Sequence, residues 1–260
     1  MNRLESFKEK LAVQKATLGT TIANVDWSGL SQKIAAFPFD FLMFDIEHGT
    51  IGIEDIEESL RVCRLCDLPA IVRVPDSISN LISKTLDMGA DGILLPRIEH
   101  IEQVETAVSA ARYFPRGRKG CGGFSNLRPD DKLSTDRYND NRLLFIQMES
   151  REGLFALPEI LDRFKEEVSG VIIGPYDSSI MLGTPLDIAS VPMQNYIREV
   201  FDTCAARKIA SGIFVDNAAM IASYKAMGCN IFWTGTEISL LCEALNDVCT
   251  AFKSMTKVED

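Results

Sequence analysis

The chain has 260 residues, 46% of them hydrophobic, and a formal net charge of −10. This composition supports a sizeable core, excludes a disordered chain, and argues against nucleic acid as a partner, because phosphate binding needs a basic surface. No apolar run approaches the roughly 18 residues that span a bilayer, and the charged N-terminus lacks a signal core. The expectation is a soluble cytoplasmic protein with no membrane partner.

Residues 17–23 read as a first strand, and Asp26 or Ser28 is placed to cap a helix ending near residue 36. An apolar strand at 39–46 runs into Asp45, Glu47 and His48. Ile53, Ile56, Leu60 and Cys63 give 53–66 helical spacing. Strands follow at 70–74 and 92–95, the second stopped by Pro96. Between them lies a helix at 81–88, capped by Ser79 and closed by Gly89; a further helix spans 101–113. Residues 114–141 read as one long loop, of the kind that is usually functional or mobile. Strands at 143–148, 171–173, 210–215 and 230–234 alternate with helices near 155–165, 194–208, 218–227 and 237–252, with a short helical turn at 176–181. Eight strands alternating with helices and no linker imply a parallel sheet closed as a (β/α)₈ TIM barrel, one domain over 1–260. An open doubly wound sheet is the alternative.

Barrel active sites lie at the carboxyl ends of the strands. Asp45, Glu47, His48, Arg73, Arg97, Gln147, Glu149 and Asp177 all fall there. Gln147 and Glu149 are two apart and share a direction. Glu149 and Asp177 follow neighbouring strands, and two converging carboxylates with water suit Mg²⁺ or Mn²⁺. The plainer alternative is an Asp capping one helix and a Glu opening another. Asp45, three residues before His48, could fix its imidazole for proton transfer. Arg73, between Val72 and Val74, is a permanent cation in an apolar strand and needs an anion, either substrate or Asp45 and Glu47. Arg97 either points at substrate or bridges to Glu99. Cys63 and Cys66 form a CxxC inside a helical pattern and read as ordinary helix thiols; His100 reads as surface.

Together these stretches resemble a known family. Asp45-Ile46-Glu47-His48-Gly49, Ile71-Val72-Arg73-Val74-Pro75, Asp87 to Pro96, Gln147-Met148-Glu149 and Gly174-Pro175-Tyr176-Asp177 are similar to the metal-dependent pyruvate aldolases of the HpcH/HpaI type. That group includes 2,4-dihydroxyhept-2-enedioate and 2-dehydro-3-deoxyglucarate aldolases. The resemblance implies a homo-oligomer, usually a hexamer of dimers that exchange the last helix. It implies a divalent cation (Mg²⁺ or Mn²⁺, with Co²⁺ a further candidate) on Glu149 and Asp177, its water steadied by Glu47. Pyruvate would chelate it, with its carboxylate on the N–H groups of Tyr176 and Asp177. Arg73 would stabilise the enolate oxygen, and His48 would move the aldol proton. The expected reaction is retro-aldol cleavage of a 4-hydroxy-2-oxo acid to pyruvate and an aldehyde.

Tyr176, Ser178, Lys119 and Arg97 depart from the family pattern and are expected to surround the substrate. A CoA-ester lyase of the citrate lyase β or malyl-CoA type is the runner-up, since that group shares the carboxylate pair and a basic residue after the Pro96 position. A barrel that has lost catalysis is the third reading.

Overall fold

The computed structural model describes residues 1–25, 27–132 and 134–256. Eight strands pair in parallel in the order β1 to β8 and close on themselves. They are β1 (Thr17–Ile22), β2 (Phe41–Asp45), β3 (Ala70–Arg73), β4 (Gly92–Leu95), β5 (Leu143–Met148), β6 (Gly170–Ile173), β7 (Ser211–Val215) and β8 (Ile231–Thr236). The doubly wound alternative is thereby set aside.

The helices are α1 (Arg3–Ala12), α2 (Ser28–Ile34), α3 (Glu57–Leu65), α4 (Ser79–Asp87), α5 (Ile101–Ala111), α6 (Thr135–Asn141), α7 (Arg151–Phe164), α8 (Pro175–Met181), α9 (Val191–Arg207), α10 (Ala218–Ala226) and α11 (Glu237–Thr256). Several start differently from expectation: α3 begins four residues later than its spacing implied and α9 three residues earlier. Ser79 is the first residue of α4, not its cap, and Ile78 precedes it with no capping bond. Ser28 likewise opens α2 behind Trp27; Asp26 lies outside the described residues. Helix α7 begins four residues earlier than the apolar spacing implied, because the Ser150 hydroxyl accepts the Gly153 N–H at 3.1 Å.

Successive side chains of a strand face opposite ways, and here they build two cores. Leu42, Phe44, Val72, Ile93, Ile146 and Ile173 face the helices. Phe41, Met43, Ile71, Leu94, Phe145, Ile172 and Ile231 fill the barrel. Helix α1, unexpected in a segment read only as charged, closes the amino-terminal mouth. A capping box between Asn2 and Glu5 starts it, and Leu4, Phe7 and Leu11 line one face. Phe7 stacks on Phe41 and Phe145 at 5.2 and 6.2 Å.

The expected long loop at 114–141 is partly regular, with a 3₁₀ turn at Pro129–Lys132 and helix α6. It joins α5 to β5, so it belongs to the amino-terminal end. Arg128 grips Asp91 through two bonds of 2.6 and 2.9 Å. The buried Arg142 bonds Asp131 and the Ala90 carbonyl. Lys119 is buried, bonds Asp87, and lies over the Tyr113 ring at 5.3 Å. Lys119 therefore holds the base of the barrel and does not surround the substrate.

Candidate active site

On β2, β3, β5 and β8 the inward column ends in a polar or aromatic group at the carboxyl mouth. Asp45 follows Phe41 and Met43, Arg73 follows Ile71, Gln147 follows Leu143 and Phe145, and Trp233 follows Ile231. All four line a cavity of about 510 Å³, with His48, Gly174, Tyr176 and Asp177.

On one side sits a clamped cation. Asp45 and Arg73 are in register on β2 and β3. Asp45 accepts from Arg73 Nε at 2.9 Å and Nη2 at 2.5 Å. Burial would raise the Asp45 carboxyl, but the Arg73 bonds and charge outweigh it and hold the group below the usual carboxylate range. Burial alone would weaken the guanidinium; the Asp45 bonds and charge instead keep it protonated. Among the described residues its Nη1 makes no hydrogen bond, which leaves a donor for the cavity that Arg73 lines. The indole of Trp233 lies 5.0 Å from the guanidinium.

Asp45 does not orient the His48 imidazole as expected. It accepts the backbone N–H groups of Glu47 and His48 at 3.1 and 3.2 Å, which shapes the strand-end turn. The His48 ring is 59% exposed, and its Nε2 lies 3.9 Å from Glu47 Oε2. Glu47, not Asp45, is the acid beside the imidazole.

On the other side carboxylates gather. Glu149 is buried and accepts from Gln147 Nε2 and, at 3.0 Å, from the Arg97 N–H. Burial, then the charges of Asp177 and Glu47, push it up to about 7. Burial also raises Glu47, against the pull of Arg73, His48 and Arg97. Glu47 Oε2 lies 3.5 Å from Arg73 Nε yet has no hydrogen bond, and buried Gln147 Oε1 has no partner. Asp177 stands in the first turn of α8, whose N-cap Gly174 offers no side-chain cap. A Cβ on Gly174 would lie 2.2 Å from Glu149 Oε1, so only glycine leaves this space open. Among the described residues no three His, Cys, Asp or Glu side chains form a ready metal cage.

The remaining expected residues divide. Tyr176 lines the cavity, and its hydroxyl donates to Asp216 at 2.6 Å; partial burial and Asp216 push the phenol up to about 12. Arg97 neither lines the cavity nor bridges to Glu99. With φ at 49° it turns back, donating to the Pro75 carbonyl at 3.0 Å and pairing with Glu47 at 3.4 Å. Ser178 is fully buried and donates to the Gly174 carbonyl at 2.7 Å, so it supports the turn and does not meet substrate. Cys63 is a core thiol pushed up to about 12 by burial. Sequence reasoning missed Thr21, Asn24, Phe214, Trp233 and Thr236, which complete the wall. Inward parity counted along each strand would have found Trp233, Thr21 and Phe214; nothing distinguished the other two.

The comparisons with known proteins give the family and the fold. The HpcH/HpaI aldolase/citrate lyase profile matches residues 26–244. A 2-keto-3-deoxy-L-rhamnonate aldolase from Salmonella gallinarum is 31% identical over 264 aligned residues, covering 99% of this chain and 97% of that protein. A solved HpcH/HpaI aldolase from Desulfitobacterium hafniense shares the fold at a TM-score of 0.87 and 22% identity, over 95% of this chain and 96% of that one. A solved citrate synthase, SbnG, shares it at 0.83 and 24% identity, over 96% and 98%. With the profile over most of its length and a relative matched end to end, the chain belongs to the HpcH/HpaI aldolase/citrate lyase family of carbon–carbon lyases.

Proposed function

We propose that the protein cleaves a 4-hydroxy-2-oxo acid to pyruvate and an aldehyde, and runs the reverse condensation, with a divalent cation on Glu149 and Asp177. The observation that carries this reading is the acidic pole. Glu149 is driven up to about 7 by burial and then by the charges of Asp177 and Glu47, beside a cavity lined by Asp177, Gln147 and Arg73. The donors fit a hard cation: carboxylate oxygens, an unpartnered amide oxygen on Gln147, and space secured by Gly174. Two carboxylates completed by water and substrate are what Mg²⁺ commonly takes, and Mn²⁺ or Co²⁺ would suit the same oxygens. When bound, the cation would act as a Lewis acid on the carboxylate and 2-oxo group of the substrate.

The chain's own groups supply the rest. Arg73 Nη1 donates to the oxygen on which charge develops as the C3–C4 bond breaks. His48, backed by Glu47, takes the proton from the C4 hydroxyl. The N–H groups of Tyr176 and Asp177, in the first turn of α8 and without helical partners, donate to the substrate carboxylate. Gln147 holds Glu149 in position.

The assembly follows the same reading. Helix α11 has no buried residue. Leu241, Leu245, Val248, Phe252 and Met255 recur along it at alternating spacings of four and three, all more than half exposed. We propose one barrel domain whose last helix is exchanged with a second copy, within a homo-oligomer such as the hexamer. No described helix is long and apolar enough to cross a membrane. All seven cysteines are free thiols, which supports a cytoplasmic setting.

Exchange of pyruvate methyl protons into deuterated water, with added Mg²⁺ or Mn²⁺, tests the reaction. Metal-dependent exchange without any thioester supports an aldolase. No exchange with pyruvate, but cleavage of a CoA ester, would move the protein to the citrate lyase branch.

A further inference from the structure

We infer that Trp233, seated by Thr21, is the positioning residue that fixes the Arg73 guanidinium for catalysis; this rests on the reading of Arg73 above. Arg73 is gripped on one edge by Asp45, a planar grip that still permits rocking about the line of the two bonds. The indole of Trp233 supplies the second restraint, its ring 5.0 Å from the guanidinium carbon. A guanidinium over an indole is the favoured cation–π pairing, strongest where water is excluded. Arg73 is 7% exposed and Trp233 4%.

The indole is itself held. Trp233 Nε1 donates to Thr21 Oγ1 across the β1–β8 pair. The Phe214 ring meets it edge-on, centroids 5.4 Å apart at 84°. The backbone is shaped to match. Register between β1 and β8 slips after Gly19 and Trp233, so that Thr21 stands opposite Thr236. Gly235, at φ 60°, takes up the extra residue. Trp233 is thus the last inward residue before the bulge, at the depth of Arg73. Thr21, Trp233 and Arg73 form a run across the cavity wall that ends on Asp45. Of the acids gathered on the other side, Glu47 reaches it, 3.5 Å from Arg73 Nε.

The geometry separates two properties of Trp233, its aromatic face and its N–H. Trp233→Phe keeps a face for Arg73 and removes the donor. Trp233→Leu removes both, and Thr21→Val removes only the acceptor. Metal-dependent proton exchange of pyruvate should fall about 5- to 30-fold in Trp233→Leu, the span a buried cation–π contact covers. The KM for pyruvate should change less than the rate. Thr21→Val should slow exchange roughly threefold to tenfold in the wild-type background, since it strands a buried N–H. It should do nothing further in Trp233→Phe, where no N–H remains.

A second readout needs no turnover. The chain has two tryptophans, so Trp27→Phe leaves Trp233 as the sole indole. Arg73→Met in that background should change the Trp233 emission. Equal exchange rates in Trp233→Leu and Trp233→Phe, additive losses in the double variant, or emission blind to Arg73 would each overturn the inference. Absence of pyruvate exchange in the wild type would instead sink the proposed reaction, and the emission comparison would still decide the Arg73–Trp233 contact.

Discussion

The two mouths of the barrel handle charge in opposite ways. At the amino-terminal mouth every strong charge named above has an opposite partner: Arg128 with Asp91, Arg142 with Asp131, Lys119 with Asp87. Helix α1 seals that end with Phe7 against Phe41 and Phe145. At the carboxyl-terminal mouth, Glu149, Asp177 and Glu47 crowd together, and polar atoms of Gln147 and Glu47 lack hydrogen-bond partners. A fold that can pair its charges at one end has no structural reason to leave them in conflict at the other. Charge is paired at the closed mouth and left crowded at the open one, the pattern expected where function and not stability sets the arrangement.

Breaking the open mouth should have the largest consequence. Glu149→Gln and Asp177→Asn should each cut metal-dependent turnover on the order of 10³-fold or more, because an amide is a poor ligand for a hard cation. The thermal midpoint without metal should not fall in either variant. For Glu149 it should rise slightly above neutral pH, where a repelled charge is removed. Wild-type rates in either variant at low metal would refute the assignment.

His48→Ala should slow aldol cleavage about 10²–10⁴-fold, the usual worth of general acid–base help, while sparing pyruvate proton exchange. Both rates are measured on one preparation. If exchange falls as far as cleavage, His48 is the enolising base and the division of labour is wrong.

The closed mouth should respond in the opposite sense. Phe7→Ala should cost roughly 3–5 kcal/mol of stability, the usual penalty for emptying a buried aromatic site. The kcat of the folded protein should barely move, since α1 sits at the far end. A large loss of kcat at a temperature where the variant is fully folded would show that the two ends are coupled.

The smallest effect sharpens the same contrast through pH. Glu149 stands raised to about 7 against an ordinary 4.5. A raised carboxyl favours the folded state below its unfolded pKa, and that advantage is lost as pH rises through the folded value. Without metal, this group therefore makes the protein less stable between about pH 4.5 and 7. Metal competes with the proton, so the Mg²⁺-induced rise in thermal midpoint should grow from pH 6 to pH 8. A rise independent of pH would mean that Glu149 is not a ligand.

The barrel was readable because most strands are short apolar runs that stop at a polar residue, a Gly or a Pro, as at Leu95-Pro96 and Ile173-Gly174. Helix α1 carries a real signal in Leu4, Phe7 and Leu11, but dense charge around them masked it. Helix α6 is nearly all polar, with Tyr138 and Asn139 its buried residues, so no periodicity announced it. In the site, local spacing misled where the true partner was distant in sequence. Asp45 lies three residues from His48, yet its carboxylate belongs to Arg73 across the β2–β3 ladder. Lys119, a departure from the family pattern, is expected near the substrate, whereas the α5–β5 connection must return to the opposite end. Trp233 looked like any apolar strand residue, and only the closed barrel brings it over Arg73.

Direct Mn²⁺ binding, followed by the electron paramagnetic resonance of the free ion, tests the central claim most directly. The account predicts one tight site per chain in the wild type. Pyruvate should raise its affinity, and the site should be lost in both Glu149→Gln and Asp177→Asn. Mn²⁺ binding that survives both substitutions, or that pyruvate leaves unchanged, would contradict it.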